Sequence, residues 1–318
     1  MVPMSVAFLG LGNMGGPMAV NLARAGQRVV GYDPVPMARD RVFAAGVTTV
    51  EEPGAAVADA DVVITMLPGG GHVLDCYQEV LPLAAPGALF LDCSTIDVAD
   101  ARAAAELALV AGHPAVDAPV SGGVVGAEAA TLTFMVGGED TAFTAAEPYL
   151  RLMGARAIHC GTSGAGQAAK VCNNLILGAS MIAVSEAFAL GEKLGLTNQA
   201  LFDVASTASG QCWALTTNCP VPGPVPKSPA NRDYAGGFAS GLMLKDLGLA
   251  MAAAEQTGTT TALGRRAAEL YAAFVAQDGP ARDFSAIITA IRDGSLDPGT
   301  PATAEPVVDD TRNQDGTP

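Results

Sequence analysis

Along the first half of the chain, short apolar runs alternate with longer stretches whose apolar positions recur every three or four residues. Residues 4–9, 29–32, 62–66, 88–92, 115–118 and 132–136 are runs of strand length. Residues 14–25, 98–111 and 142–153 carry helical spacing, and Gly26 closes the first of them, as glycine does just past a helix C-terminus. The alternation predicts an α/β fold with a doubly wound, mostly parallel sheet covered on both faces. After Gly166 the strand signal stops. Residues 167–194 read as one long helix, apolar nearly all round and therefore expected to be buried among neighbours. Further helices are predicted at 198–206, 242–257, 261–276 and 284–292, the last with Ile287, Ile288 and Ile291 on one face. From Ser295 onward the Pro, Thr and Asp content predicts a disordered tail. The expected organisation is an α/β domain over 1–164, an all-helical domain over 165–294 joined to it by the long interdomain helix, and a tail over 295–318.

Composition narrows the possibilities. The chain has 318 residues, with 17 Lys+Arg against 32 Asp+Glu, a net charge of −15 that argues against general affinity for nucleic acid or anionic membranes. Small anionic substrates stay compatible with it if a few cations are focused locally. Only 15% of residues are charged, so Ala and Gly must cover much of the surface or line interfaces, which predicts a homodimer or homotetramer. The uncharged first 23 residues are interrupted by Gly10, Gly12, Gly15, Gly16 and Pro17, with nothing basic before them. They read as a buried first strand and not as a secretory leader. The uncharged run at 171–185 falls short of the roughly 20 residues of a membrane span. The six cysteines form no C-x-x-C pair and the three histidines no H-E-x-x-H, so no metal site is expected. Six reduced, mostly buried thiols in a cytoplasm are the expectation.

Four clusters carry candidate chemistry. Gly10-Leu11-Gly12-Asn13-Met14-Gly15 matches G-x-G-x-x-G between a predicted strand and a predicted helix, and Asp33 ends the next strand. This is the dinucleotide fingerprint of a Rossmann-type domain. Gly10 allows the tight turn, Gly12 lets a pyrophosphate approach the backbone, and Gly15 lets helix and strand pack closely. Asp33 is placed to accept from ribose hydroxyls and to repel a 2′-phosphate, which favours NAD over NADP. The second cluster, Asp117 to Ala127, follows a strand. Backbone N–H groups beside Ser121, Gly122 and Gly123, with the serine hydroxyl, can form an anion-binding concavity there. In the third, Lys170 and Asn174 are four residues apart and project from one face of the long helix. A lysine on so apolar a helix is costly to bury without a partner, and a desolvated lysine suits proton transfer. The fourth is Lys245-Asp246 inside an apolar helix, a pattern that a surface ion pair also produces. His72 follows Leu67-Pro68 and three glycines on a loop leaving a strand beside the expected cofactor. The other histidines read as structural.

Taken in order, the segments at 10–22, 66–68, 92–96 (DCSTI), 117–123 (DAPVSGG), 161–174 (GTSGAGQAAKVCNN) and 242–247 (LMLKDL) resemble the β-hydroxyacid dehydrogenase family over about residues 4–292. The loop at 209–238 resembles its 3-hydroxyisobutyrate branch in particular. The resemblance implies NAD-dependent oxidation of (S)-3-hydroxyisobutyrate to methylmalonate semialdehyde, a step in valine breakdown. It makes Lys170 the acid/base and gives Ser121, Gly122, Gly123 and Asn174 the substrate, with Asp246 supporting the closed cleft. Leu11, Asn13, Met14, Leu67, Pro68, His72, Thr95 and Lys245 would line the cofactor site with the glycines and Asp33. His72 stands where asparagine is common, and Cys93 where serine is. A sister enzyme acting on tartronate semialdehyde or serine shares the same motifs, and a non-catalytic NAD-binding scaffold would share the first.

Overall fold

The computed structural model describes residues 4–296. Nine strands form one sheet: β1 (Ser5–Leu9), β2 (Arg28–Tyr32), β3 (Thr48–Thr49), β4 (Val62–Thr65), β5 (Leu89–Asp92), β6 (Ala115–Asp117), β7 (Val120–Ser121), β8 (Leu132–Gly137) and β9 (Gly154–Gly161). The order is β3-β2-β1-β4-β5-β6-β8-β7, with β9 on β8. Pairing is parallel from β3 through to β6, antiparallel where β8 meets β6 and β7, and parallel again between β8 and β9. The inner strands β1, β4 and β5 are buried at every position, as a sheet covered on both faces requires.

Helices between the strands make the two covers. Helices α1 (Gly15–Arg24), α2 (Pro36–Phe43), α3 (Pro53–Val57), α4 (Gly70–Val80), α5 (Val98–Val110), α6 (Gly123–Glu128) and α7 (Asp140–Met153) all lie in this half. One apolar cluster packs Met18 and Leu22 of α1 and Leu150 of α7 against Val6, Phe8 and Ile64. The opposite face packs Val73 and Tyr77 of α4 and Ala104 of α5 against Ala7, Val63 and Phe90. The order in which strands are added reverses between β1 and β4, which run parallel, so their carboxyl ends flank the switch-point crevice where such sheets take ligands.

From α8 (Ala165–Lys193) onward the described chain is helical: α9 (Asn198–Ala205), α10 (Trp213–Thr216), α11 (Ser240–Gln256), α12 (Ala262–Asp278) and α13 (Ile287–Asp293). Their core includes Met181 and Phe188 of α8, Met243 and Leu247 of α11, Tyr271 and Phe274 of α12, and Ile287 and Ile288 of α13.

Several expectations need correction. The long helix has 29 residues and, by length and composition alone, enough apolar chain to cross a membrane. It serves instead as a beam between β8 on one side and α10, α11, α12 and α13 on another. Nor is it buried all round: Ile176 is 67% and Leu190 60% exposed, because none of the described residues covers that face. Only Cys93 and Cys219 of the six free cysteines are buried; Cys160 sits on edge strand β9 and Cys172 on the outward side of α8. Ser295 N donates to Ala290 O and Leu296 is buried, so the expected tail does not begin at 295. Its remainder, 297–318, lies outside the described residues.

A Cβ on Gly15 would run into the carbonyl oxygen of Gly10 and the ring of Phe8, both fixed by β1 and its turn, whereas one on Gly71 meets nothing within 4 Å. Gly15→Ala is therefore expected to lower the free energy of unfolding by about 2 kcal/mol, and Gly71→Ala to leave it equal or raise it by about 0.5 kcal/mol. Urea denaturation of both variants checks the contrast.

Candidate active site

The crevice floor is the turn from β1 into α1. Gly10 has φ +97°, a left-handed conformation that glycine adopts without strain, and a Cβ there would strike the carbonyl of Met66 at the end of β4. Gly12 has no heavy atom within 4 Å of where its Cβ would stand. Packing within the protein thus explains glycine at 10 and 15 but leaves glycine at 12 unexplained. Clearance for an approaching ligand is the reason that remains, so the turn fits a pyrophosphate. Leu11, Asn13 and Met14 complete the turn. Asp33, at the end of β2, accepts from Leu11 N through Oδ2 at 2.7 Å and from Val35 N through Oδ1 at 2.9 Å. It braces the glycine turn as well as ending the strand. Two cations that sequence reading passed over stand beside it. Arg39 Nη1 donates to Asp33 O at 2.6 Å, and Arg41 Nη2 to Leu11 O at 2.9 Å. Their signal was available: both lie on the polar segment directly after β2.

Two loops form the next wall. Leu67 N donates to Ser94 Oγ at 2.8 Å, which ties the loop after β4 to the loop after β5. Lys245 Nζ, on α11, donates to Pro68 O at 2.7 Å and to Thr95 O at 2.8 Å. Lys245 thereby joins the helical half to both loops. His72 is exposed on the first turn of α4, at the outer edge of this wall.

The lysine cluster lies one turn into α8. Lys170 and Asn174 are both buried and share Asp246 of α11. Asn174 Nδ2 donates to Asp246 Oδ2, and Lys170 Nζ lies 3.9 Å from the same oxygen. Lys245 and Asp246 do not form a surface pair; they turn to different partners inside the cleft. Burial pushes the Lys170 ammonium down from the ordinary lysine range, Lys245 pushes it further, and Asp246 opposes them. Burial likewise raises the Asp246 carboxyl, against Lys170, Lys245 and Asn174. The 3.9 Å separation is too long for a full charge-assisted hydrogen bond, so the carboxylate does not lock the amine in its charged form. The Phe238 ring centroid stands 6.0 Å from Lys170 Nζ, an apolar wall that the sequence did not single out.

Gln167 was also missed. It is fully buried on the first turn of α8, where Nε2 donates to Ser94 O at 2.7 Å and Oε1 accepts from Ile96 N at 3.2 Å. It clamps the peptide on either side of Thr95. Ser121, Gly122 and Gly123 lie where β7 turns into α6, with φ of +138° at Gly122 and +63° at Gly123. Among the described residues no hydrogen bond or ion pair joins them to Lys170, Asn174 or Asp246. No group of three or more His, Cys, Asp or Glu is placed to hold a metal among the described residues.

Known proteins resemble this chain in sequence and fold. Residues 5–173 match the family model described as the NAD binding domain of 6-phosphogluconate dehydrogenase. Residues 164–291 match the one described as NAD-binding of NADP-dependent 3-hydroxyisobutyrate dehydrogenase. A probable 3-hydroxyisobutyrate dehydrogenase of Mycobacterium tuberculosis is 56% identical over 91% of this chain and 98% of its own length. An NAD-dependent L-serine dehydrogenase of Pseudomonas aeruginosa is 46% identical over 89% of this chain and 96% of its own. Among solved structures, M. tuberculosis 3-hydroxyisobutyrate dehydrogenase with L-serine superposes with a TM-score of 0.89 at 56% identity, covering 92% of this chain and 100% of that one.

Because a Cβ on Gly12 would meet nothing within 4 Å among the described residues, Gly12→Ala is expected to keep the melting temperature of the ligand-free chain while weakening NAD binding about tenfold or more. Calorimetric titration with NAD, beside a thermal melt without it, reads both. Unchanged affinity would remove the clearance argument.

Proposed function

This chain belongs to the β-hydroxyacid dehydrogenase family and is most like its 3-hydroxyisobutyrate dehydrogenases, and from that membership we propose that it oxidises 3-hydroxyisobutyrate to methylmalonate semialdehyde with NAD. The observation that carries the reading is the buried Lys170 beside Asn174, with its ammonium pushed toward neutrality. Bound NAD supplies the nicotinamide ring that takes hydride from the carbinol carbon. Neutral Lys170 accepts the hydroxyl proton at Nζ during oxidation, and in the reverse direction protonated Lys170 returns it to the aldehyde oxygen. Asn174, oriented by Asp246, holds the hydroxyl in line with Nζ. Ser121 and the backbone N–H groups of Gly122 and Gly123 take the carboxylate. Lys245 binds where the cofactor and substrate halves meet. Asp33 selects the free ribose hydroxyls of NAD, with Arg39 and Arg41 engaged by main-chain carbonyls.

L-Serine carries the same hydroxymethyl and carboxylate on one carbon, with an ammonium in place of the methyl group. A relative named for serine and a solved relative holding it make serine the second substrate to test. Phe238 beside Lys170 favours the methyl, because an apolar ring gains from burying it and offers an ammonium no hydrogen-bond acceptor. The proposed setting is the cytoplasm, where six free cysteines stay reduced. The uncovered face of α8, with Ile176 and Leu190, supports a homodimer or homotetramer.

With NAD and saturating substrate, oxidation is expected to rise with pH as Lys170 loses its proton and then to level off. Aldehyde reduction, which needs the protonated amine, should fall over the same range. Lys170→Ala is expected to lower kcat by about 10²–10⁴-fold. NADH absorbance with 3-hydroxyisobutyrate, L-serine and glycerate, in NAD and then NADP, tests substrate and cofactor together. A flat rate from about pH 6 to 10 with chemistry limiting would exclude Lys170 as the base. NAD binding without turnover of any hydroxyacid would leave the scaffold reading.

A further inference from the structure

Asp92 ends β5 inside the sheet, away from the lysine cluster. Its Oδ1 accepts three hydrogen bonds, from Thr65 Oγ1 at 2.7 Å, Ser94 Oγ at 2.6 Å and Ser94 N at 3.1 Å. Its Oδ2 is buried and has no hydrogen-bond partner among the described residues. An ionised carboxylate spreads its charge over both oxygens, so leaving one bare in the interior is costly. A neutral acid removes the cost: the saturated oxygen is the carbonyl, and the other carries a proton to donate. Asp92 also lines a cavity of about 10 Å³ with Tyr77, Ala101, Ala104, Val116 and Asp117, just enough for one water. Asp117 is its parallel-register partner on β6, and both Asp117 oxygens are already occupied by N–H groups from the start of α8.

The groups around Asp92 favour the neutral form. Asp117 faces it from β6 and Tyr77 and Cys76 from α4, while the adjacent Cys93 packs on the other face of the sheet, and none of them is a cation. Lys245 on α11 is the cation that reaches it, with its ammonium held by Pro68 O and Thr95 O. Burial raises the Asp92 carboxyl and outweighs the opposing effects of Ser94, Thr65 and Lys245.

We propose that Asp92 is a positioning residue that works as a neutral carboxylic acid. It donates Oδ2–H to one water held in the cavity beside Asp117, and so fixes the two loops whose carbonyls receive Lys245. The path is short. Ser94 Oγ donates to Asp92 Oδ1 and accepts from Leu67 N, while Ser94 O accepts from Gln167. Freezing Ser94 sets the separation of Pro68 O from Thr95 O and hence the seat of Lys245. The role is independent of which hydroxyacid the protein takes.

The test compares the full chain with Asp92→Asn, which keeps the acceptor and supplies a donor, and Asp92→Ala, which has neither. Infrared difference spectra at pH 8 should show a carboxylic-acid C=O band in the wild type that shifts in heavy water and is missing from Asp92→Asn. The native acid keeps a proton that the unfolded chain releases near pH 4, so Asp92's contribution to wild-type stability falls as pH rises above about 4. Asp92→Asn escapes that loss, and its melting temperature should gain on the wild type from pH 5 to 8. NAD affinity should stay within about threefold in Asp92→Asn and fall about tenfold in Asp92→Ala. A high-resolution crystal structure should hold a water in the cavity. No acid band, or an Asn variant as impaired as the Ala variant, overturns the neutral acid. Unchanged affinity in Asp92→Ala overturns the positioning role, and an empty cavity overturns the water. If Asp92→Ala fails to fold, affinity in Ser94→Ala, which cuts the same path, replaces it with the same two readings.

Discussion

The site depends on how α8 is fastened to the sheet. Asp117, the last residue of β6, accepts from Gly164 N at 2.7 Å and from Gln167 N at 2.9 Å, one carboxylate oxygen for each. A helix begins with N–H groups that lack partners and with a partial positive charge, and a carboxylate answers both. The contact needs a close approach that only small residues permit. A Cβ on Gly166 would strike Met135 O and Asp117, and one on Gly137 would meet Asp117 and the amides of Ala165 and Gly166. Burial lifts the Asp117 carboxyl to about 6, while the two amides pull it down. Once this end is fixed, the helical repeat puts Lys170 one turn further and Asn174 a turn beyond that, both facing α11. The catalytic candidates are therefore held in place by main-chain geometry three to ten residues before them.

The cleft then has to manage two ammonium groups and a carboxylate at low solvent exposure. Lys245 finds neutral carbonyls, which satisfy its donors without countering its charge. That charge stays available to depress its neighbour, and burial works in the same direction. Asp246 pulls the other way, but part of its acceptor capacity goes to Asn174. A tighter Lys170–Asp246 bond would leave a permanently charged amine, and no carboxylate at all would leave a buried amine without a partner. The long separation between them is the compromise that the proposed role of Lys170 as a base requires.

Much of this was legible in the sequence, for a reason that can be traced. Buried parallel strands must be short and apolar, and the glycine turn must have its fixed spacing, so β1, α1, β2 and the Asp33 position follow from local pattern alone. Lys170 and Asn174 were visible because charge and amide stand out on an apolar helix. Strand β9 was not, since an edge strand with Arg156 and His159 exposes most of its residues and shows no clean alternation. The two-residue strands β3 and β7 lack the length for any periodicity. Gln167, Asp92 and Phe238 were passed over for another reason. Each matters through a partner 27 to 73 residues away or more, and a single residue type at a single position carries no sign of that. The apolar outer face of α8 misleads in the opposite direction: its hydrophobicity points to burial within the chain, but none of the described residues covers it.

The same long-range logic shapes the substrate side. The segment from 209 to 238 contains little regular structure, yet two of its residues are held by one acid. Asp283 accepts from Asn218 Nδ2 at 2.9 Å and from Phe238 N at 2.7 Å, while Ser285 N and Oγ secure the carboxylate from behind. Phe284 N donates to Phe238 O at 2.8 Å, so both main-chain groups of Phe238 are fixed to the strip before α13. Asp283 and Ser285 are fully buried, which places these bonds where water cannot compete for them. The ring facing Lys170 is therefore held as firmly as the lysine itself, although it belongs to a loop. Under the proposed function, a wall fixed in this way would discriminate by shape, because its main chain is held on both sides by the helical core. On the proposed function, the chemistry falls to α8 from the sheet side, and the choice of substrate to a loop anchored to the helical side.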